Sequence, residues 1–181
     1  MRSTRSSSSS SVLTAPRRDV SRRKVRLMDE DSQLRSRLLV VLRVELAPAQ
    51  LLGPGPWGDR GTVPVTGGSF DGPALSGRIL PGGSDCAITR TDGVLELDVR
   101  LTLETHDGAL IHMTYTGMRH GPGDVLALLG RETVDPARYY FRIVPRFETS
   151  SPDYAYLNRL VAVGVGDRQP QGPVYSIFEI L

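Results

Sequence analysis

The sequence predicts an all-β protein, folded as a single antiparallel up-and-down β-barrel of about eight to ten strands with at most one short helix. Residues 97–104 alternate strictly between apolar and polar side chains, which is the period of a β-strand. Similar short apolar segments recur along most of the chain. Glycine and proline interrupt them too often for long helices to form.

The apolar run after residue 34 begins the predicted barrel. It predicts a strand over 38–47, because Pro48 and the glycine-rich stretch after it end the run before a helical turn can follow. The next forty residues hold only short apolar pieces between glycines and prolines. They predict strands over 61–66, 74–80 and 84–90.

Two Asp-Gly turns predict the central hairpins. Gly93 and Gly108 each supply the positive φ that a tight turn needs. The segment over 94–105 is therefore predicted to follow one turn and to enter the other, so that residues 109–117 return antiparallel to it.

The last third of the chain predicts one short helix and three more strands. The helix is expected near 122–130, where Gly130 is suited to end it. Strands are predicted over 138–147, 155–166 and 172–181. A chain that finishes within a strand favours a barrel, because this strand can pair with the first and leave no free edge.

The length of 181 residues and the hydrophobic content of 39% fit one domain with a buried core. Residues 1–33 are predicted to be a disordered, basic, Ser/Arg-rich extension, and residues 34–181 the barrel domain. The first 27 residues hold eight Arg and Lys against the single acid Asp19, a composition that targeting segments and nucleic-acid-binding arms also share. Because the rest of the chain is acidic, we expect no nucleic-acid partner.

Several functional classes lack the residues that they need. No segment approaches the roughly 18 apolar residues of a membrane helix, and no secretory signal is evident, so we expect a cytoplasmic protein without a membrane partner. Cys86 is the single cysteine, and the three histidines are too scattered for a zinc site. Nucleophile-elbow, phosphate-loop and dinucleotide-binding motifs are absent. We therefore expect neither a metal nor a cofactor.

The alternating strand leaves two orientations open. Its polar face carries Asp98, Arg100 and Glu104, and a later strand carries Arg142. If these faces line the barrel, Arg100 and Arg142 stabilise developing negative charge, while Glu104 or Asp98 moves the proton. If the apolar faces fill the barrel instead, the same groups form surface ion pairs worth roughly 0 to 1 kcal/mol each. The functional prediction below follows the first orientation.

Five other polar residues are candidates for ligand binding. Asp85 follows a Gly-Gly-Ser turn, and it either points into the mouth of the cavity or bonds its own backbone. Tyr115 and Tyr140 offer phenolic donors or pack in the core. Glu148 and Asn158 are types that strand interiors disfavour without a polar partner, so either one orients a ligand. Asn158 alternatively satisfies loop carbonyl groups.

Three long segments together resemble one protein family. They read PVTGGSFDGPALSGRILPGGSD, RTDGVLELDVRLTLETHDGALIHMTYTG and YYFRIVPRFETSSPDYAYLNRLVAVGVG. In order, spacing and residue types, residues 38–181 resemble the domain of unknown function 3237 family. The resemblance implies a compact antiparallel β-barrel that is often oligomeric, and it implies no general activity. Cys86 departs from the family pattern, which usually has an aromatic residue there, and this departure implies a wider cavity mouth.

The implied barrel is similar in shape to calycins and to allene oxide cyclase-like proteins, which hold apolar small molecules. We therefore predict a small-molecule-binding barrel that acts as a cofactor-independent isomerase, cyclase or lyase. It would use acid–base catalysis on a partly apolar, carbonyl- or hydroxyl-bearing metabolite, for example in secondary metabolism. The alternative is a barrel that binds a ligand without chemistry, or an oligomeric scaffold. We also expect a homo-oligomer, because a partner subunit would have to cover an apolar outer face.

Overall fold

Ten antiparallel strands form one continuous sheet in the computed structural model, which describes residues 33–181. The predicted extension over residues 1–33 lies outside the described residues, apart from Gln33. The strands are β1 (Ser36–Leu46), β2 (Gln50–Gly55), β3 (Gly58–Asp71), β4 (Ser76–Ile79), β5 (Ser84–Thr89), β6 (Leu95–Thr105), β7 (Leu110–His120), β8 (Tyr140–Glu148), β9 (Ala162–Gln169) and β10 (Gly172–Ile180).

The sheet closes into a barrel because β1 pairs with both β10 and β3. From β10 the neighbours run through β9, β8 and β7 to β6 in reverse chain order. Between β6 and β3, the short strands β4 and β5 share one position, since each pairs with both neighbours. The hairpin strand β2 pairs with β3 and lies off the closed path. The all-β barrel and the pairing of the last strand with the first are confirmed.

Turns and helices follow the glycine pattern in most places. Gly93 and Gly108 have φ angles of 84° and 85°, as the two predicted hairpin turns require. The short helix α1 spans Gly123–Leu128, and Gly130 has a φ of 76° just after it. Two 3₁₀ helices cover Pro136–Arg138 and Ala155–Arg159. Among residues 33–181 no helix combines the length and the apolar character that crossing a bilayer would demand.

The structure differs from the predicted strands in three places. Strand β3 spans Gly58–Asp71 and extends beyond both ends of the segment predicted over 61–66. The strand predicted over 155–166 begins at Ala162, because the residues before it form the second 3₁₀ helix, which buries Leu157. The strand β2 was not predicted, because its glycines and prolines are typical of a loop. It tolerates Pro54 because it pairs on one side with β3 and needs no donor on the other.

The interior of the barrel is filled by the apolar faces of the strands. On β6, Leu97, Val99, Leu101 and Leu103 are all buried, with at most 6% of any residue exposed. The alternation seen in the sequence therefore divides inside from outside, with the charged side chains of β6 directed outward. The predicted inward orientation of the charged faces was wrong.

Candidate functional site

A cavity of about 700 Å³ lies at one end of the barrel, where β7 and β9 end and β8 and β10 begin. Leu95, Leu97 and Phe141 provide apolar walls. Residues 47–49 between β1 and β2, residues 170–171 between β9 and β10, and the first two residues of β10 also line it. This volume falls within the range of pockets that hold small molecules. The cavity also receives charged groups from four strands, β3, β5, β7 and β9.

Asp85 reaches the cavity from β5. In the sheet it lies opposite Val63 on β3 and Val99 on β6. Its Oδ1 accepts a hydrogen bond from the backbone N–H of Asp98 at 3.2 Å. Burial raises the pKa of the Asp85 carboxyl from 3.8 to about 6, against the opposing effects of this hydrogen bond and of Arg119. The carboxyl therefore exchanges its proton near neutral pH.

Arg119 enters the same cavity from the end of β7. Its Nε is fully shielded from solvent and has no hydrogen-bond partner, alone among the side-chain nitrogens and oxygens of the described residues. Its guanidinium carbon lies 5.6 Å from the centre of the Phe141 ring. Burial, followed by repulsion from Arg168, lowers the pKa of Arg119 below its ordinary value. The guanidinium is thus a buried donor with unused capacity.

Aromatic rings form the floor of the cavity. The ring of Tyr175 lies 5.3 Å from that of Tyr115 and 5.3 Å from that of Phe141, measured between centroids. Gly166 makes room for this packing, since a Cβ there would lie 2.5 Å from the Phe141 ring. Burial raises the pKa values of both Tyr115 and Tyr175 well above their ordinary range, so both hydroxyl groups remain protonated donors.

Arg168 brings a second guanidinium to the cavity. Its backbone N–H donates to the Tyr139 hydroxyl at 2.7 Å, and its side chain donates to the carbonyl of Gln169. The neighbouring acid Asp167 accepts hydrogen bonds from the Tyr139 hydroxyl at 3.2 Å and from Nε2 of Gln169 at 2.8 Å. Asp167 is therefore engaged by other groups and forms no ion pair with Arg168 in the described residues.

The structure brings two of the sequence-predicted residues to this end of the barrel. Asp85 lines the cavity, which agrees with the first of its two predicted placements, the mouth of the cavity. Tyr115 lies on the inward face of β7 and packs beneath Tyr175 without lining the cavity itself.

Three of the predicted catalytic residues lie instead on the outer face of β6. Arg100, with 60% of its side chain exposed, donates to Asp98 at 2.9 Å. Glu104 accepts from Arg78 at 2.5 Å. The physical reason is that the apolar face of this strand enters the barrel, where unpaired charges would be far more costly than leucine and valine. The carboxylates expected to move protons thus form surface ion pairs.

Arg142 also points outward, from β8. It donates to the carbonyl of Phe141 at 2.9 Å, and its guanidinium lies 5.1 Å from the centre of the Tyr140 ring. Arg142 and Tyr140 line a second hollow of about 780 Å³ on the outside of the sheet, which we call the outer groove. The outer groove also contains Cys86, Glu96, Asp98, Arg60 and the exposed apolar side chains Met118, Val144 and Val163.

The last two predicted residues lie away from the cavity. Glu148 is exposed at the end of β8. Asn158 lies in the second 3₁₀ helix, and its side-chain amide donates to the carbonyl and accepts from the N–H of Thr149, both at 2.9 Å. The amide of Asn158 therefore closes a loop, which agrees with the alternative prediction that it satisfies loop carbonyl groups.

The cavity residues that the sequence analysis missed are Arg119, Arg168, Tyr175 and Phe141. One of them had a detectable signal. Arg119 continues the inward alternation that contains Met113 and Tyr115, so it is an arginine on the apolar face of a strand. Arg168 and Tyr175 come together only through the pairing of β9 with β10 and the closure of the barrel.

A closed antiparallel barrel with a polar cavity at one end defines the class of this protein. Residues 35–180 match the sequence profile of the family described as "Protein of unknown function (DUF3237)". The chain belongs to that family, as the sequence resemblance predicted.

Known relatives share both sequence and fold. A UPF0311 protein of Rhodopseudomonas palustris is 38% identical over 125 residues, which cover 68% of this chain and 82% of that protein. Its crystal structure superimposes with a TM-score of 0.79 at 32% identity, over 82% of this chain and 99% of that chain. A β-barrel-like protein of Acinetobacter baumannii superimposes with a TM-score of 0.73 at 41% identity, over 82% of this chain and 97% of that chain.

An enzyme from Penicillium herquei is similar in fold. Its TM-score is 0.62 at 21% identity, over 82% of this chain and 95% of that chain. At this identity the likeness concerns the barrel alone.

Proposed function

We propose that the cavity at the end of the barrel binds a small, partly apolar molecule with a carbonyl or hydroxyl group and transfers protons on it, with Asp85 as the acid–base residue. The observation that carries this proposal is the separation of opposite charges in one cavity. Asp85 and Arg119 both line it, yet the two side chains form no ion pair. A molecule bound in the cavity can therefore contact both groups without first breaking an ion pair between them.

The chemistry follows from the positions of these groups. The Asp85 carboxylate removes a proton from carbon next to the carbonyl, and the C–H electron pair becomes that of an enolate. Arg119 stabilises the negative oxygen, because its guanidinium is a partly buried cation that lines the same cavity, where developing charge is poorly screened by water. The protonated Asp85 then returns the proton to a different carbon or to a leaving group. Return to a different carbon gives isomerisation, and transfer to a leaving group, whose bond to carbon breaks as the enolate electrons form a C=C bond, gives elimination. Where the enolate carbon instead attacks a second carbonyl carbon of the same molecule, the new C–C bond closes a ring and the protonated Asp85 gives its proton to the resulting alkoxide.

The pKa of Asp85 suits this role. A value of about 6 leaves the carboxylate ionised at neutral pH while making its acid form accessible during the reaction. The apolar walls and the Tyr175 floor favour a molecule with an aromatic or alicyclic part. The occurrence of an enzyme on a similar barrel in Penicillium herquei supports the view that this architecture accommodates catalysis.

The test uses phenylacetone, a neutral ketone with exchangeable benzylic hydrogens. We expect the full-length protein to accelerate exchange of these hydrogens in D₂O, measured by proton NMR, with a pH profile that rises through about 6. Asp85→Asn should reduce the accelerated rate by about 10²- to 10⁴-fold. The matched control is Asp71→Asn, the same substitution at an exposed strand end, and it should exchange like the wild type.

Equal exchange rates for the wild type and Asp85→Asn would contradict the proposal. Binding of the ketone without any Asp85-dependent exchange would favour the second candidate, a barrel that binds its ligand without chemistry.

A further inference from the structure

The charges around the cavity do not balance. Three guanidinium groups and two carboxyl groups line it, an excess of one positive charge when both acids are ionised. The acid Asp59 and the base Arg60 are neighbours on β3 near the outside, so the deeper groups are Asp85, Arg119 and Arg168. At this depth two cations face one carboxyl group.

The two deeper arginines have no carboxylate partner among residues 33–181. Their mutual repulsion is expressed in the lowered pKa of Arg119, for which Arg168 is the main cause after burial. Asp167 forms no ion pair with either arginine, and its oxygens accept hydrogen bonds from Tyr139 and Gln169 instead. Two unpaired guanidinium groups beside a single carboxyl group in a half-enclosed space are an arrangement that an anion stabilises.

The position of Arg168 is fixed by the fold. Its side chain donates to the Gln169 carbonyl, and its guanidinium lies against Gly130, where a Cβ would come within 3.0 Å of Nη2. Because Gly130 also has a φ of 76°, glycine suits this position for two reasons. The guanidinium fork is thus held in place before any ligand arrives, which is the condition for selective carboxylate recognition.

From this geometry we infer that the molecule bound in the cavity is an anion, with a carboxylate held by Arg168 and an enolisable carbonyl held by Arg119 next to Asp85. This inference rests on the proposed function for the role of the carbonyl. The substrate class is therefore a 2-oxo acid or a related carboxylate with an apolar remainder. Arg168 is a specificity-determining residue, and Arg119 serves the reacting oxygen.

The test compares two probes with the same apolar part. Phenylpyruvate carries a carboxylate next to its carbonyl, and phenylacetone carries a methyl group in its place. By titration calorimetry we expect phenylpyruvate to bind about tenfold to a hundredfold more tightly to the full-length protein. Arg168→Gln should remove this preference and leave phenylacetone binding unchanged, whereas Arg168→Lys should keep part of it.

The matched control is Arg146→Gln, at an exposed position on the outside of β8, which should keep the full preference. Thermal unfolding of each variant verifies that it is folded. Equal affinity for both probes, loss of affinity for both in Arg168→Gln, or no binding of phenylpyruvate at millimolar concentration would overturn the inference. Asp85-dependent exchange of phenylacetone without a preference for phenylpyruvate would leave the proposed function standing. A preference for phenylpyruvate without Asp85-dependent exchange would support the anionic ligand and contradict the proposed proton transfer.

Discussion

Replacing Asp85 by asparagine should stabilise the protein at alkaline pH. The substitution keeps an acceptor for the Asp98 N–H and removes a buried negative charge. The pKa of Asp85 is about 6 in the folded protein, against 3.8 as its ordinary value. A difference of about two pKa units corresponds to about 3 kcal/mol between the two protonation states.

The direction of the effect follows from proton binding. Because the folded state holds this proton more tightly than the unfolded chain, the neutral carboxyl contributes stability that is fully present below about pH 3.8. That contribution is lost as the pH rises through about 6. The free energy of unfolding of Asp85→Asn should therefore exceed that of the wild type by about 3 kcal/mol at pH 8, and the difference should nearly vanish at pH 4.

Urea unfolding followed by circular dichroism at the two pH values measures this difference. Asp98→Asn is the matched control. It changes an exposed ion pair and leaves the backbone donor in place, so a change of at most about 1 kcal/mol is expected. A variant of Asp85 that is less stable than the wild type at pH 8, or whose advantage does not depend on pH, would refute the reasoning.

Asn158→Ala should lower the free energy of unfolding by about 1–2 kcal/mol without changing ligand affinity, because it removes two hydrogen bonds that close a loop; altered affinity in calorimetry would contradict this. Gly166→Ala should lower the free energy of unfolding by about 1–3 kcal/mol, because the added Cβ would overlap the Phe141 ring. Gly123→Ala places its Cβ in open space and should leave the stability unchanged, so equal melting temperatures of the two variants would disprove the packing argument. We expect a second copy of the chain to cover the outer groove, because two acids and two arginines flank its apolar side chains and make the surface self-complementary in charge. Val144→Asp should then convert a dimer into a monomer in sedimentation experiments, and a monomeric wild type would contradict this expectation.

Much of the fold could be predicted because the local signals agree with the closed sheet. The turns at Gly93 and Gly108 demand a left-handed backbone, and the alternation over 97–104 fixes a strand between them. Local sequence signals failed where contacts between residues distant in sequence determine the secondary structure. The 3₁₀ helix around Leu157 forms because that side chain is buried and the Asn158 amide bonds across the loop, neither of which follows from periodicity.

The site was harder to predict, because alternation shows that a strand has two different faces without showing which one is inside. The prediction places the charged face of β6 inside the barrel, whereas the structure places it outside, because burying Asp98 and Arg100 would cost more free energy than burying the leucines. The Gly-Gly-Ser turn before Asp85 made it a candidate, and this residue does line the cavity, while its role in binding stays a prediction. Arg119 is a single charge on an otherwise apolar strand face, so neither charge density nor alternation distinguishes it from a core position.

The cavity draws its lining from both the first and the last strand, with Leu46 at the end of β1 and Tyr175 within β10. Such a site is assembled only when chain segments far apart in sequence have met, so it is absent from partly folded species. A ligand should consequently leave the refolding rate unchanged and slow unfolding, since it binds after the rate-limiting step. At a hundred times its dissociation constant, a ligand of the proposed kind would add about 2.7 kcal/mol to the free energy of unfolding, so the barrel should be hardest to denature when that ligand is abundant.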